Sequence, residues 1–185
     1  MLNLSTGLIE NYPIANPEER AGMILDNLGF VESILNGFRH CLILELREIQ
    51  RSEYLDEMGE SCGRASHYGD PTAAIALKEI SIEEFLDSRR TLKTVIKDEE
   101  SIASVSPKLR AYRMLNNEYQ IIQAHLENKR NKHLQLFLDV SDGTKTIAEI
   151  VKERDMTEKK VRVILNNTKN QIISISTPYF EEVTV

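Results

Sequence analysis

Apolar residues recur at three- and four-residue steps along three stretches of the chain, the spacing that places side chains on one face of an α-helix. In the first stretch Ile24, Leu28, Val31, Leu35, Phe38, Leu42 and Ile49 keep this rhythm, with a single seven-residue step before Ile49. It starts at Asn16-Pro17-Glu18-Glu19, which offers an N-cap, a proline at the first helical position and a carboxylate at the third. The second stretch carries Ala73, Leu77, Ile80, Leu92, Val95 and Ile96 behind an Asp70-Pro71 start and is less regular in its middle. The third, behind Ser106-Pro107, repeats cleanly through Leu109, Tyr112, Leu115, Tyr119, Ile122 and Leu126. Between them lie a glycine-rich polar loop from Gly59 to Pro71 and an acidic break from Asp98 to Pro107. A soft charged break follows near Asn128-Lys129-Arg130-Asn131. No strand pattern, internal repeat or low-complexity segment is visible. The pattern predicts an all-α chain whose long N-terminal helices pack as a hairpin or coiled coil, within one chain or between two.

The last quarter has a shorter rhythm. Leu134, Phe137, Leu138 and Val140 form one apolar stripe, stopped at Ser141-Asp142-Gly143, where glycine suits a left-handed cap. A second helix is expected from about Thr146, with Ile147, Ile150 and Val151 on one face. A third is expected after Thr157, with Val161, Ile164 and Leu165 inward and the stripe continuing through Ile172. Two short helices joined by a tight turn make the geometry of a helix-turn-helix, whose second helix can enter the major groove of DNA. The same pattern also suits two amphipathic helices that bind something else. The domains read from these signals are a helical body over 1–127, a helix-turn-helix module over 128–174 and a tail over 175–185. In the tail Pro178 and β-branched residues predict extended or frayed chain.

Charge sharpens the division. The chain's net charge is −6, yet residues 129–171 hold ten Lys/Arg against six Asp/Glu, so this segment is +4 and the rest −10. An acidic body with a basic end is compatible with nucleic-acid contact through that end, although solvated helix faces give the same count. A hydrophobic fraction of 41% and a charged fraction of 28% describe a foldable rather than a disordered chain. No apolar run approaches the roughly 18 residues of a membrane span. The N-terminal MLNLSTGLIENYP lacks both a basic and a long apolar segment, so no secretion signal is expected. The two cysteines, Cys41 and Cys62, fit no zinc spacing and no disulfide framework, which makes reduced thiols in a cytoplasmic protein the expectation.

Candidate chemistry concentrates on the last helix. Lys159, Lys160, Arg162, Asn166, Lys169 and Asn170 fall off its apolar face. Arg and Lys pair with guanine edges and Asn with adenine edges, while all of them can hold phosphates. Thr157, as N-cap, stands beside free backbone amides that attract anions. These seven are the candidate DNA-binding residues. No catalytic residue, metal site or cofactor is expected. The histidines His40, His67, His125 and His133 are scattered, and no phosphate loop, dinucleotide fingerprint or nucleophile elbow is present.

Thr146-x-x-Glu149-Ile150-Val151, then Met156-Thr157, Val161 and Leu165, resembles the T-x-x-E-I-A-x-x-L-G-I-S-x-x-x-V-x-x-x-L pattern of sigma-factor region four. Leu138 to Gly143 looks like the end of that module's first helix and its turn. Three positions depart from the pattern. Val151 replaces a small alanine and is expected to crowd the helix crossing, and Arg154 replaces a leucine that would pack in the core. Asp155 replaces the turn glycine, a position where Asp tolerates left-handed backbone better than most residues. Upstream, Tyr54-Leu55-Asp56-Glu57 and Ser66-His67-Tyr68-Gly69-Asp70-Pro71-Thr72 before a helix are similar to the ArpU/RinA-type regulators of phages of low-GC Gram-positive bacteria. The resemblance spans roughly residues 50 to 172. It implies a phage- or prophage-encoded activator of late packaging or structural genes in a bacterial host cell. Its implied partners are double-stranded DNA and host RNA polymerase, with a homodimer as the expected state. The rival expectations are a helical adaptor that binds polymerase or a sigma factor without touching DNA, and a packaging protein resembling small terminase subunits.

Overall fold

The computed structural model describes residues 11–60 (backbone alone for 56–60), 82–88, 90–127 and 131–180. Every regular element among them is helical, so the all-α expectation holds. The elements are α1 (Pro17–Asp26), α2 (Leu28–Glu60), α3 (Glu99–Leu126), α4 (Lys132–Ser141), α5 (Ile147–Arg154) and α6 (Glu158–Ser176). Short 3-10 turns cover Tyr12–Ile14, Leu92–Thr94 and Thr177–Tyr179, and residues 82–86 are also helical. The loop expected from Gly59 does not begin there, since α2 runs through Gly59 and Glu60; the rest of that expected loop, the Asp70-Pro71 start and the positions Ala73, Leu77 and Ile80 lie outside the described residues. So do Cys62, His67, residues 128–130 and residues 181–185.

The first start signal works as read: the Asn16 side chain accepts from the Glu19 amide at 2.9 Å while the Glu19 carboxylate accepts from the Asn16 amide at 3.1 Å. The stripe behind it does not run on one helix, however. Asn27 leaves helical geometry with φ −116° and ψ 17°, and its carboxamide donates back to the Met23 carbonyl at 2.8 Å. A short-chain amide competes with the helical ladder in this way, and the chain restarts at Leu28. The periodicity survives the break, and Ile24, Leu28, Val31, Leu35, Phe38 and Leu42 are all buried.

The third stripe is buried in full, from Leu109 to Leu126, but its helix starts eight residues earlier than Ser106-Pro107 suggests. The acidic run is a helix start rather than a break. The Asp98 carboxylate accepts from the Ser101 amide at 2.7 Å, the Ser101 hydroxyl and then this amide hold its pKa below the ordinary carboxylate value, and Glu99 and Glu100 occupy the first turn. Glu53 on α2 accepts from the backbone amides of Lys97 and Asp98 at 2.7 and 2.8 Å. Pro107 therefore sits inside α3. It is exposed, as is Ala103, whose carbonyl it leaves without a helical donor, so solvent can satisfy that carbonyl. Two other expectations change. Leu92 and Ile96 are buried, but residues 92–94 form a 3-10 turn in which the Thr94 hydroxyl donates to the Thr91 carbonyl at 2.8 Å. The stretch 175–180 is ordered: α6 reaches Ser176, Pro178 fits the 3-10 turn, and Phe180 is buried.

By contact the chain forms two compact units, one of residues up to Leu35 with those from Met114 on, the other of residues 36–113. In the second, Phe38 and Tyr112 meet edge to face with centroids 6.0 Å apart. Arg113 donates to the Phe85 and Arg90 carbonyls, both at 3.1 Å, and lies over the Phe85 ring, which fastens Phe85 and Arg90 to α3. In the first unit the decisive feature is polar. Glu118 on α3 is only 2% exposed, and Arg20 on α1 reaches it through Nε at 2.9 Å and Nη2 at 2.8 Å. The Tyr12 hydroxyl donates to the same carboxylate at 2.6 Å, and Arg20 Nη1 donates to the Ala15 carbonyl at 2.9 Å.

Truncating one member of such a group strands the others without partners, which typically costs about 3–5 kcal/mol. Glu118→Ala is expected to lose stability on that scale in urea unfolding. The triple change Tyr12→Phe/Arg20→Met/Glu118→Leu, which removes the whole polar group together, should lose less. A Glu118→Ala loss of under about 1 kcal/mol would show that the group does not hold this unit together.

Candidate nucleic-acid interface

Leu136 of α4, Ile150 of α5 and Val161 of α6 form the buried centre of a three-helix cluster. Val140, Ile147, Val151, Met156, Ile164 and Leu165 pack around it. The inward residues expected on α5 and α6 are thus the ones found. On α4 the most deeply buried residue is Leu136, at 1% exposure, which the stripe through Leu134 and Phe137 does not single out. Gly143 takes the left-handed cap expected of it, with φ 70°. The cluster also rests on α2, where a Cβ at Gly29 would stand 3.2 Å from the Ser141 carbonyl oxygen.

The connection from α5 to α6 is short and well determined. Thr146 and Glu149 form a capping box, the Glu149 amide donating to the Thr146 hydroxyl oxygen at 3.3 Å. In return the Thr146 amide and hydroxyl donate to the Glu149 carboxylate at 2.7 and 2.8 Å, which holds the Glu149 pKa below its ordinary value. At the far end Asp155 is left-handed, with φ 48° and ψ 48°. The Met156 amide donates to the Val151 carbonyl at 3.3 Å, the long-range bond of a Schellman cap, and both side chains pack on the apolar cluster. Thr157 then caps α6 by accepting from the Lys160 amide at 3.3 Å. Val151, in place of a small residue, is accommodated half-buried, and Arg154 is half-buried where the pattern has a leucine.

The outer face of α6 carries the candidate residues. Thr157, Lys159, Lys160, Arg162, Asn166 and Asn170 are exposed. Glu158, Lys159, Arg162, Val163 and Asn166 line one open concavity along the helix. Among the described residues no carboxylate pairs with Lys159 or Lys160. Arg162 is engaged: its Nε and Nη2 donate to Glu158 at 2.9 and 2.6 Å across one helical turn. Lys169 is half-buried and pairs with Asp26 at the end of α1, within the same compact unit. It fastens α6 to α1, and a ligand would share its ammonium with Asp26. Sequence spacing could not reveal this partner, which lies 143 residues away. Val163, 50% exposed at the middle of the outer face, is uncharged and lies outside the polar set that the sequence pattern picks out.

Among the described residues no group of His, Cys, Asp and Glu is arranged to hold a metal, and no helix is long and apolar enough to cross a membrane. Cys41 is a free thiol on the surface of α2. Comparison of the chain with family models, curated proteins and solved structures finds no match.

Two outcomes test the local account. Asp155→Gly should raise stability by up to about 1 kcal/mol, because left-handed backbone costs an L-residue roughly that much, whereas Asp155→Val should lower it. Thermal unfolding of both variants checks the sign. The Glu149 contribution should be complete above the pKa of an unfolded glutamate and fade as pH falls through the lower folded value. Glu149→Ala should therefore flatten the melting temperature against pH in that acid window, and an unchanged acid limb would contradict the capping role.

Proposed function

We propose that the chain is a DNA-binding transcription regulator in which α5, the Asp155–Thr157 turn and α6 act as a helix-turn-helix, with α6 as the recognition helix. The observation that carries this reading is the outer face of α6. There two lysines without a carboxylate partner among the described residues, an N-capped helix start and several carboxamides stand on one exposed surface. The carboxylate on that face, Glu158, is paired with Arg162. Lysine charge and backbone amides at a helix start suit phosphate oxygens, while carboxamides suit base edges. The turn geometry adds support, since the left-handed residue and the two caps fix the angle at which α6 leaves α5.

The resemblance of Thr146–Leu165 to sigma-factor region four, and of the longer stretch to ArpU/RinA-type regulators, gives the biological setting proposed. The protein is a phage or prophage product that activates late packaging and structural genes together with host RNA polymerase. The acidic remainder, at −10, would dimerise or meet polymerase. A dimer of such modules would meet half-sites about 34 Å apart, one turn of duplex. The same acidic remainder is what favours the second reading, an adaptor that binds polymerase or a sigma factor without DNA. Retention of polymerase by a chain lacking residues 128–185 in a pull-down would favour it.

Fluorescence polarisation on duplex DNA at two salt concentrations tests the first reading. Affinity should fall steeply with salt. Lys159→Ala/Lys160→Ala should weaken binding to all sequences and reduce the salt slope by about 2, one for each phosphate no longer neutralised. Absence of binding at low salt, or an unchanged slope in the variant, would sink the proposal.

A further inference from the structure

The outward stripe of α6 is chemically uneven, and its composition bears on which bases it can read. Lys159, Val163, Asn166 and Asn170 follow one another at steps of four, three and four residues and are all exposed. One aliphatic side chain and two carboxamides thus occupy the middle of the face. The group best suited to guanine, Arg162, lies to one side and has two of its nitrogens committed to Glu158, at 2.9 and 2.6 Å. Lys159 and Lys160 are point charges on flexible stems, which supply affinity for phosphate more readily than they select a base.

We infer that α6 selects A·T pairs in the major groove, with Val163 against a thymine methyl and Asn166 hydrogen-bonded in pairwise fashion to an adenine. This inference rests on the DNA-binding reading and deepens it. A thymine is the only base that presents a methyl group to the major groove, and it is the match for an exposed aliphatic side chain. An adenine offers N7 as acceptor and N6 as donor side by side, the complement of a carboxamide's amine and oxygen. Val163 and Asn166 are three residues apart, about 4.5 Å of helical rise, close to the roughly 3.4 Å step between base pairs. They therefore address adjacent pairs. Asn170 lies a further turn along, in line for a third contact. Glu158 accepts from Arg162 and so competes with a guanine for two of its donor nitrogens.

The test starts with the full chain and a pool of randomised duplexes, selected at low salt. The recovered sites should share a core of adjacent A·T pairs. In that core, replacing thymine by uracil removes only the methyl group and should weaken binding about fourfold. Replacing adenine by 7-deazaadenine removes only the N7 acceptor and should weaken binding roughly tenfold. Val163→Ala should abolish the response to uracil while keeping the response to deazaadenine, and Asn166→Ala should do the reverse. Both residues are exposed and alanine is the better helix former, so neither change should lower the thermal unfolding temperature of the chain. A G·C core, or salt-dependent binding with no base preference, would overturn this inference and leave DNA binding in place. Failure to bind any duplex would overturn the DNA-binding reading and this inference with it.

Discussion

A carboxylate buried among helices must be answered by partners, and the first compact unit is organised around that requirement. Glu118 faces Arg20 and Tyr12, and every one of these contacts joins segments about a hundred residues apart in sequence. The Arg20 guanidinium also lies 5.9 Å from the centre of the Phe180 ring, just after α6. Burial, and then the neighbouring Glu118 charge, push the Tyr12 phenol far above its ordinary pKa, so it remains a donor to the carboxylate. Such a group contributes less by its net energy than by what it forbids. Any arrangement that separates α1 from α3 leaves a buried charge without an answer.

From this anchor the orientation of α6 follows by short steps. The α1 helix, fixed by Arg20, presents Asp26 to Lys169, and the C-terminal end of α6 leads through the Thr177–Tyr179 turn to buried Phe180. At its other end α6 is set by the Schellman turn at Asp155 and by the Leu136–Ile150–Val161 cluster. Held at both ends, the helix turns Val161, Thr168, Ile172 and Ser176 inward and leaves Lys159, Val163, Asn166 and Asn170 outward. A helix packed at both ends suits recognition, because side chains on it reach a ligand from a backbone that is already folded.

How much of this could be read from the sequence varies with the range of the interaction. Local signals served well. The Asn16 capping box, the helix start at Thr146, the left-handed Gly143, the tolerance of Asp155 for positive φ and the inward stripes of α5 and α6 all depend on residues within a few positions of one another. Prolines misled where a neighbouring cap was stronger: Asp98, aided by Glu53 from α2, starts α3 ahead of Pro107. Periodicity could not register the Asn27 break, because the stripe resumes in phase beyond it. Long-range polar contacts were illegible altogether. Nothing in spacing or composition distinguishes Glu118 from an exposed glutamate, or Lys169 from Lys159 and Lys160 of the same helix, until their partners at Arg20 and Asp26 are known. The candidate face was accordingly legible as a set of outward residues, but not as a division between tethered, paired and open ones.

The proposed meeting of the outer face of α6 with duplex DNA is open to a direct measurement. Titrating the isotopically labelled full chain with a duplex and following its amide and carboxamide NMR signals tests this residue by residue. Shifts should gather at 157–170, with the Asn166 and Asn170 side-chain signals among the largest, while buried Val161 and the Tyr12–Arg20–Glu118 group change little. Shifts confined to α2 and α3, or a spectrum untouched by DNA at low salt, would contradict it.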